Sequence, residues 1–412
     1  MTNKLKYVLL LFHIMYSVFN TYAQNKEQLS AEQLFKQSRK AFCYGGYRTT
    51  TRNIQPTISQ IKEDLKILQT LDIKFIRMYN VHLEETQNVL QAIRELKKEN
   101  NSFEMYLMLG AWIDCKNAWT EYEPIHNEES DRNAIEIKEA VRLANAYPEI
   151  VKVISVGNEA MVKWAAKYYV EPVIILKWVE YLQDLKKNQQ LAKGVWITSS
   201  DNFASWGGES SYHNETLEKL CRSVDYISIH TYPMHDTHYN PIFWGVNEDE
   251  KSLSTKEQVE KLMQRAAEYA QRQYENVSNY LKSIQVTKPI HIGETGWTSQ
   301  SKNLFGQNGS MAADEYKQAI YYHKMMEWSE KTDMTIFYFE AFDEKWKDAD
   351  HPEGSENHFG LFTIEGKAKY ALWSDVDQGK FKKLSRDGNP VVKTYHGEEN
   401  VLLRELKIKY RN

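Results

Sequence analysis

Apolar runs that end in polar residues recur along the chain at 41–48, 75–80, 105–112, 151–159, 194–201, 225–233, 289–297 and 335–343. Each is short and nearly continuous in its apolar residues, as expected of strands buried on both faces rather than of half-exposed strands that alternate. Between them lie stretches with helical spacing. Ile58, Ile61, Leu65, Leu68 and Leu71 recur at steps of three and four after Pro56-Thr57, a Pro and polar cap that suit a helix start. Similar stripes run through Val89, Ile93 and Leu96, and through Ile174, Leu176, Trp178, Val179 and Leu182. The stretch 254–284 reads as one long helix. Eight buried strands alternating with helices predict an α/β fold, a closed (β/α)8 barrel of the TIM type.

The connections after strands five to eight, at 203–213, 234–250, 298–313 and 344–360, are long and rich in Gly, Ser, Asn and aromatic residues. In such a barrel they rise from the face that carries the chemistry, so a walled cleft is expected there. The first 23 residues differ in kind. Lys4 and Lys6 precede a mainly apolar stretch from Tyr7 to Phe19, and Thr21-Tyr22-Ala23 offers a small-residue cleavage site, so residues 1–23 read as a signal peptide. The expected organisation is that leader, a catalytic barrel over 24–380, and a polar extension over 381–412 packed on the barrel or trailing it. Export to the periplasm or beyond follows, with no stable membrane insertion once the leader is removed, and a monomer is the expected state.

Composition narrows the partners. The formal charge of −4 offers no basic footprint for nucleic acid, and three cysteines make no disulfide framework. The 11 Trp, 26 Tyr and 15 Phe suit either a large core or a glycan cleft, because sugar rings present C–H faces to aromatic side chains.

The chemistry is carried by two glutamates at strand ends. Val156-Gly157-Asn158-Glu159 closes the fourth apolar run, and Gly293-Glu294-Thr295-Gly296-Trp297 closes the seventh. Strands four and seven lie across a barrel mouth, so the two carboxyls can face one another over a sugar ring. Retaining glycoside hydrolysis uses such a pair, one to protonate the leaving oxygen and one to attack the anomeric carbon. Glu159 is assigned as acid/base and Glu294 as nucleophile, with Asn158 placed to bond a sugar 2-hydroxyl. Gly157 and Gly293 let the backbone pass close to neighbouring strand ends.

These two motifs resemble the acid/base and nucleophile motifs of glycoside hydrolase family 17. Phe337-Tyr338-Phe339-Glu340-Ala341-Phe342-Asp343-Glu344-Lys345-Trp346-Lys347 is similar to that family's strand-eight signature, and His358-Phe359-Gly360-Leu361 continues the likeness. The resemblance implies action on β-1,3-glucan of the laminarin type, as a hydrolase or a glucanosyltransferase, with retention and with no metal or other cofactor. It also implies that Tyr232 hydrogen-bonds the nucleophile and that Arg77 is a charge partner. Cys43-Tyr44-Gly45-Gly46-Tyr47-Arg48 departs from the plant-type pattern of the first strand, leaving Tyr44 and Tyr47 as candidate sugar contacts.

Trp297, Trp346, Phe342, Trp112 and Trp206 are further stacking candidates, and Glu340 is a third strand-end carboxyl that either binds sugar hydroxyls, tunes Glu294 or pairs with a cation. His230, His235 and His238 fit no standard metal spacing, and His230 is expected to orient Glu or Tyr side chains. No Gly-x-Ser-x-Gly elbow occurs. The rival from another class is a β-glucan-binding barrel without catalysis.

Overall fold

The computed structural model describes residues 29–411; the leader expected at 1–23 lies outside them. Eight parallel strands close a barrel in consecutive order: β1 Lys40–Cys43, β2 Phe75–Arg77, β3 Tyr106–Ala111, β4 Val151–Asn158, β5 Trp196–Asn202, β6 Ile227–His230, β7 Ile290–Gly296 and β8 Ile336–Phe339. β8 pairs with β1 through Lys40↔Ile336, Ala41↔Phe337 and Phe42↔Tyr338, which completes the ring. Every expected strand is present. β1, β2, β6 and β8 stop several residues short of the apolar runs that announced them, because their last residues leave the ladder to build the mouth.

The helices form where the caps place them. Thr57 caps Ile58–Thr70 in a box with Gln60, and Ser254 caps Thr255–Ser283 in a box with Glu257, each pair satisfying orphan N–H groups of the first turn. Ile61, Leu65 and Leu68 of the first of these helices are fully buried, as are Val89 and Ile93 of the helix Glu84–Glu99. The N-terminal end of the barrel is plugged by the short helix Ala31–Gln37. Its Phe35 ring contacts Phe75, Trp196, Tyr226, His291 and Phe337, from β2, β5, β7, β8 and the entry to β6. Burial pushes His291 down to about 3, so that floor carries no imidazolium charge.

Beyond residue 380 the chain lies against the barrel. Arg386 is fully buried and bonds Asp64, itself fully buried, at 2.9 Å, and the same carboxylate accepts from Arg48 at 2.8 Å and Tyr44 at 2.9 Å. Lys317 donates to the Lys407 carbonyl at 2.7 Å. Among the described residues no helix is long and apolar enough to cross a membrane.

Candidate active site

The catalytic end of the barrel is shaped by irregularities in the ladder. The β4–β5 register shifts between Ser155 and Asn158, with Gly157 at φ 81° and Glu159 at φ 45°, a left-handed pair that re-aims the glutamate as the strand ends. The β6–β7 register shifts between Ile229 and His230, which brings His230 opposite Glu294. Gly293 is required by space: a Cβ there would meet Ser228 Oγ at 2.1 Å and Ser200 Oγ at 2.4 Å.

Glu294 is held by three side-chain donors. Tyr232 donates to its Oε1 at 2.6 Å; Arg77 and Tyr79 donate to its Oε2 at 2.8 and 2.9 Å. Burial by itself pushes this carboxyl up. The Arg77 guanidinium and the two phenol donors oppose burial, and the carboxyl lies below the usual glutamate value, so it is ionised at neutral pH. Burial keeps the Tyr79 and Tyr232 hydroxyls well above the ordinary tyrosine value, so both remain donors.

Arg77 is the hub. Buried to 1% exposure, its Nη1 also donates to the Gly293 carbonyl at 2.8 Å, and its Nη2 donates to Asn158 Oδ1 at 2.5 Å. The same Nη1 lies 3.1 Å from His230 Nε2. Both hydrogens of Nη1 are taken by Gly293 and Glu294 and a guanidinium has no lone pair to accept one, so Nε2 carries no hydrogen toward it and the ring proton sits on Nδ1. That proton points to Glu159 Oε1 at 3.0 Å. Ser200 Oγ lies 2.8 Å from the same Nε2 and 2.9 Å from Ser228 Oγ. The two strand-end glutamates are thus joined through His230 and Arg77, with Glu159 the more open, its side chain 16% exposed.

Behind Glu159, Asp201 fixes the chain that follows. Its Oδ2 accepts from the Met161 N–H at 2.7 Å and its Oδ1 from Ser205 Oγ at 2.8 Å, while burial pushes it up to about 6.

A cavity of about 620 Å³ opens beside Glu294 and Asn158. Phe339, Tyr79, Tyr44, Tyr47, Glu85, Trp346, Lys347, Trp112, Trp119 and Arg132 share its wall, and Glu159 is not part of it.

Several aromatic candidates sit elsewhere. Trp297 has no exposed surface; its Nε1 donates to the Ala312 carbonyl at 2.8 Å and its ring packs between Trp244 and Tyr321, so it is core and not cleft. Phe342 stacks on Phe362 with Arg386 over its ring, also in the core. Trp206 is buried, bonded to the Ser228 carbonyl. Tyr44 and Tyr47 do line the cavity, but their hydroxyls are taken by Asp64 and Gln55. Trp346 lines it with its edge toward Tyr47 and Arg52 over its face at 4.2 Å.

Glu340 lies beneath the cavity wall, 1% exposed, with Lys347 at 3.6 Å. Burial and then its neighbour Glu344 push it well above the usual value. Of the roles expected for it, the structure shows the pairing with a cation, Lys347, and Glu340 is not among the residues that line the cavity.

Tyr79, Ser200, Asp201 and Trp119 carry parts that the sequence did not single out. Tyr79 had a signal available, since it follows Arg77 by two positions and a strand directs such pairs to one face. His235 stacks on Tyr232 and faces Glu356 at 3.6 Å, away from His230. Among the described residues no group of three His, Cys, Asp or Glu side chains is disposed to hold a metal.

The chain is similar to an endo-laminarinase from Formosa Hel1_33_131 of known crystal structure, with 57% identity and a TM-score of 0.92 over 93% of this chain and 98% of that one. The glycoside hydrolase family 17 β-1,3-glucanosyltransferase of Rhizomucor miehei, at 19% identity and a TM-score of 0.56 over 80% of this chain and 95% of that one, shares the fold. A glucan 1,3-beta-glucosidase of Arthroderma benhamiae is 24% identical over 66% of this chain and 73% of its own length. A relative from Aspergillus niger named for glucan endo-1,3-beta-glucosidase is 25% identical over 73% of this chain, which spans only 37% of that protein. Residues 41–360, all eight strands bar the first residue of β1 together with every side chain of the site, match the BtgE/BtgC glycoside hydrolase domain, and the chain belongs to that family.

Proposed function

We propose that the protein is an exported hydrolase that cuts β-1,3-glucan of the laminarin type internally and with retention. The observation that carries the reading is the asymmetry of the two glutamates: Glu294 is buried, ionised and held by three donors, while Glu159 is the more exposed and takes one hydrogen bond from His230. A nucleophile needs the first environment and a proton carrier the second. Likeness to an endo-laminarinase supports the choice of glucan.

In the first displacement Glu294 attacks the anomeric carbon as Glu159 gives its proton to the departing glycosidic oxygen. Oε1 has one donor where Oε2 has two, so Oε1 keeps the more available lone pairs and makes the bond. The glycosyl ester is then opened by water, which loses its proton to Glu159 and frees Glu294. The cavity beside Glu294 holds the sugar being transferred and its neighbours, and Glu159, the more exposed of the pair, meets the departing chain and the incoming water. The basic and then apolar start of the sequence supports export with removal of the leader, which cell fractionation and N-terminal sequencing of the mature protein at Gln24 would test; protein that keeps Met1 and stays in the cytoplasmic fraction would overturn it.

The function is tested by product analysis with laminarin beside mixed-linkage glucan, cellulose and mannan, using Glu294→Gln as the blank. Short β-1,3-oligosaccharides from laminarin with retained configuration are expected. Retarded migration in a laminarin gel without any product would make the protein a binding barrel.

Replacement of Glu159 by Ala is expected to slow good leaving groups little and natural glucan by about 10²- to 10⁴-fold, the weight of one positioned acid/base. Azide should restore part of the rate with activated substrates and give a β-glycosyl azide. An Ala variant that azide neither accelerates nor diverts would remove Glu159 from the role.

A further inference from the structure

We propose that the outward face of Trp119 is a stacking platform for a glucosyl unit of the bound chain remote from the bond that is cut, a subsite that rests on the β-glucan reading above. Trp119 is 54% exposed and lines the same cavity as Glu294 and Asn158. A large apolar ring left in water is unusual, and this one is also held at φ 63°, a left-handed conformation that a bulky residue rarely adopts. Asn117, two positions earlier, has the same sign of φ at 66°, where Asn is at ease. The backbone is therefore bent at a cost to put a Trp where packing does not ask for one.

One face of the ring is buttressed. Trp119 stacks on Tyr168 at 5.0 Å with 18° between planes, and Tyr168 in turn rests on Trp112 at 5.5 Å. The buttress is tied to the acid/base loop: the Cys115 N–H donates to the Tyr168 carbonyl at 3.2 Å, and the Val170 N–H donates to the Ala160 carbonyl, next to Glu159, at 2.7 Å. A second strap joins the antiparallel ribbon Cys115–Lys116 and Ile125–Glu129 to the same segment, where Glu171 N–H meets the His126 carbonyl at 2.9 Å and the His126 ring stacks on Tyr169. The free face of Trp119 is thus held at a fixed place relative to Glu159. Beside it Arg132, paired with Asp114 at 2.7 Å, lines the cavity with N–H groups for hydroxyls. A flat apolar face with polar groups at its edge matches a pyranose, which has C–H bonds on its faces and hydroxyls around its rim.

The test uses Trp119→Gly and Trp119→Phe with laminari-oligosaccharides of increasing length. Glycine relieves the left-handed strain, so Tm is expected to stay level or rise, while kcat/KM for long substrates falls about tenfold, the weight of one aromatic contact. The shortest oligosaccharide cleaved should show no change, and Phe should restore most of the loss. An equal loss at every length, no loss at any, or a lower Tm with Gly would each overturn the subsite. Were the wild type to cleave no β-1,3-glucan, the functional reading would fall instead, and laminarin-gel retardation of wild type against Trp119→Gly would still decide the platform: equal mobility overturns it.

Discussion

Glu294→Gln is expected to fold as the parent does and to lose turnover by a factor on the order of 10⁴ or more, the scale of removing a covalent nucleophile. The fold should survive because an amide satisfies the same partners: its oxygen can take the donors Arg77 and Tyr79 that now meet Oε2, and its NH2 can donate to the Tyr232 oxygen now 2.6 Å from Oε1. Laminarin should still retard the variant in a gel. A mechanism-based 2-fluoroglycoside should add its mass to a peptide containing Glu294 in the parent and to none in the variant. Labelling of a different carboxylate, or a variant within tenfold of parental activity, would end the assignment of Glu294.

Arg77→Met should cost both stability and rate. The side chain is 1% exposed and its loss leaves the buried Glu294 charge without its cation and Asn158 Oδ1 without its donor, and it takes one donor from the Gly293 carbonyl. Breaking a buried pair from one side costs about 3–5 kcal/mol, readable by urea unfolding at pH 7. The pH dependence carries a sign. In the parent, the Glu294 carboxyl lies below 4.5, so its ionic contacts add stability above that pH and lose it as pH falls through the lowered value. Without Arg77 the carboxyl loses a charge that lowers it, and it rises. The acidic limb of the kcat/KM profile should then move to higher pH, and the stability that the ionised carboxylate adds should be lost at a higher pH than in the parent. An acidic limb at the parental position would mean that Arg77 does not set the ionisation of Glu294.

The strands and helix caps were legible because they are local. Continuous apolar runs, Thr57 with Gln60 and Ser254 with Glu257 each fix their element within a few residues. Glu159, Glu294 and Asn158 were legible because strand ends are where a barrel displays side chains, whereas Arg77 and Tyr232 came only with the family resemblance. Depth was not. Trp297 and Trp346 both follow a strand end, yet one hydrogen bond to Ala312, fifteen residues on, draws Trp297 into the core while Trp346 reaches the cavity. Phe342 is covered by Arg386 from the far end of the sequence, a contact that no window of neighbouring residues contains. Trp119 escaped notice because its place depends on a left-handed backbone and on Tyr168, neither of which has a periodic signature.

The seam between β8 and β1 sets the order of assembly. Lys40 pairs with Ile336, about three hundred positions away, and joining ends so distant costs on the order of 5 kcal/mol of chain entropy before any contact across the seam repays it. Topologies of this kind fold slowly and expose unpaired strand edges while they wait. Arg77 belongs to the second strand and Glu294 to the seventh, so the nucleophile meets its cation only as the ring nears closure. In refolding experiments, helical signal should therefore return well ahead of enzymatic activity, and a protease offered during that interval should find the open edges of β1 and β8.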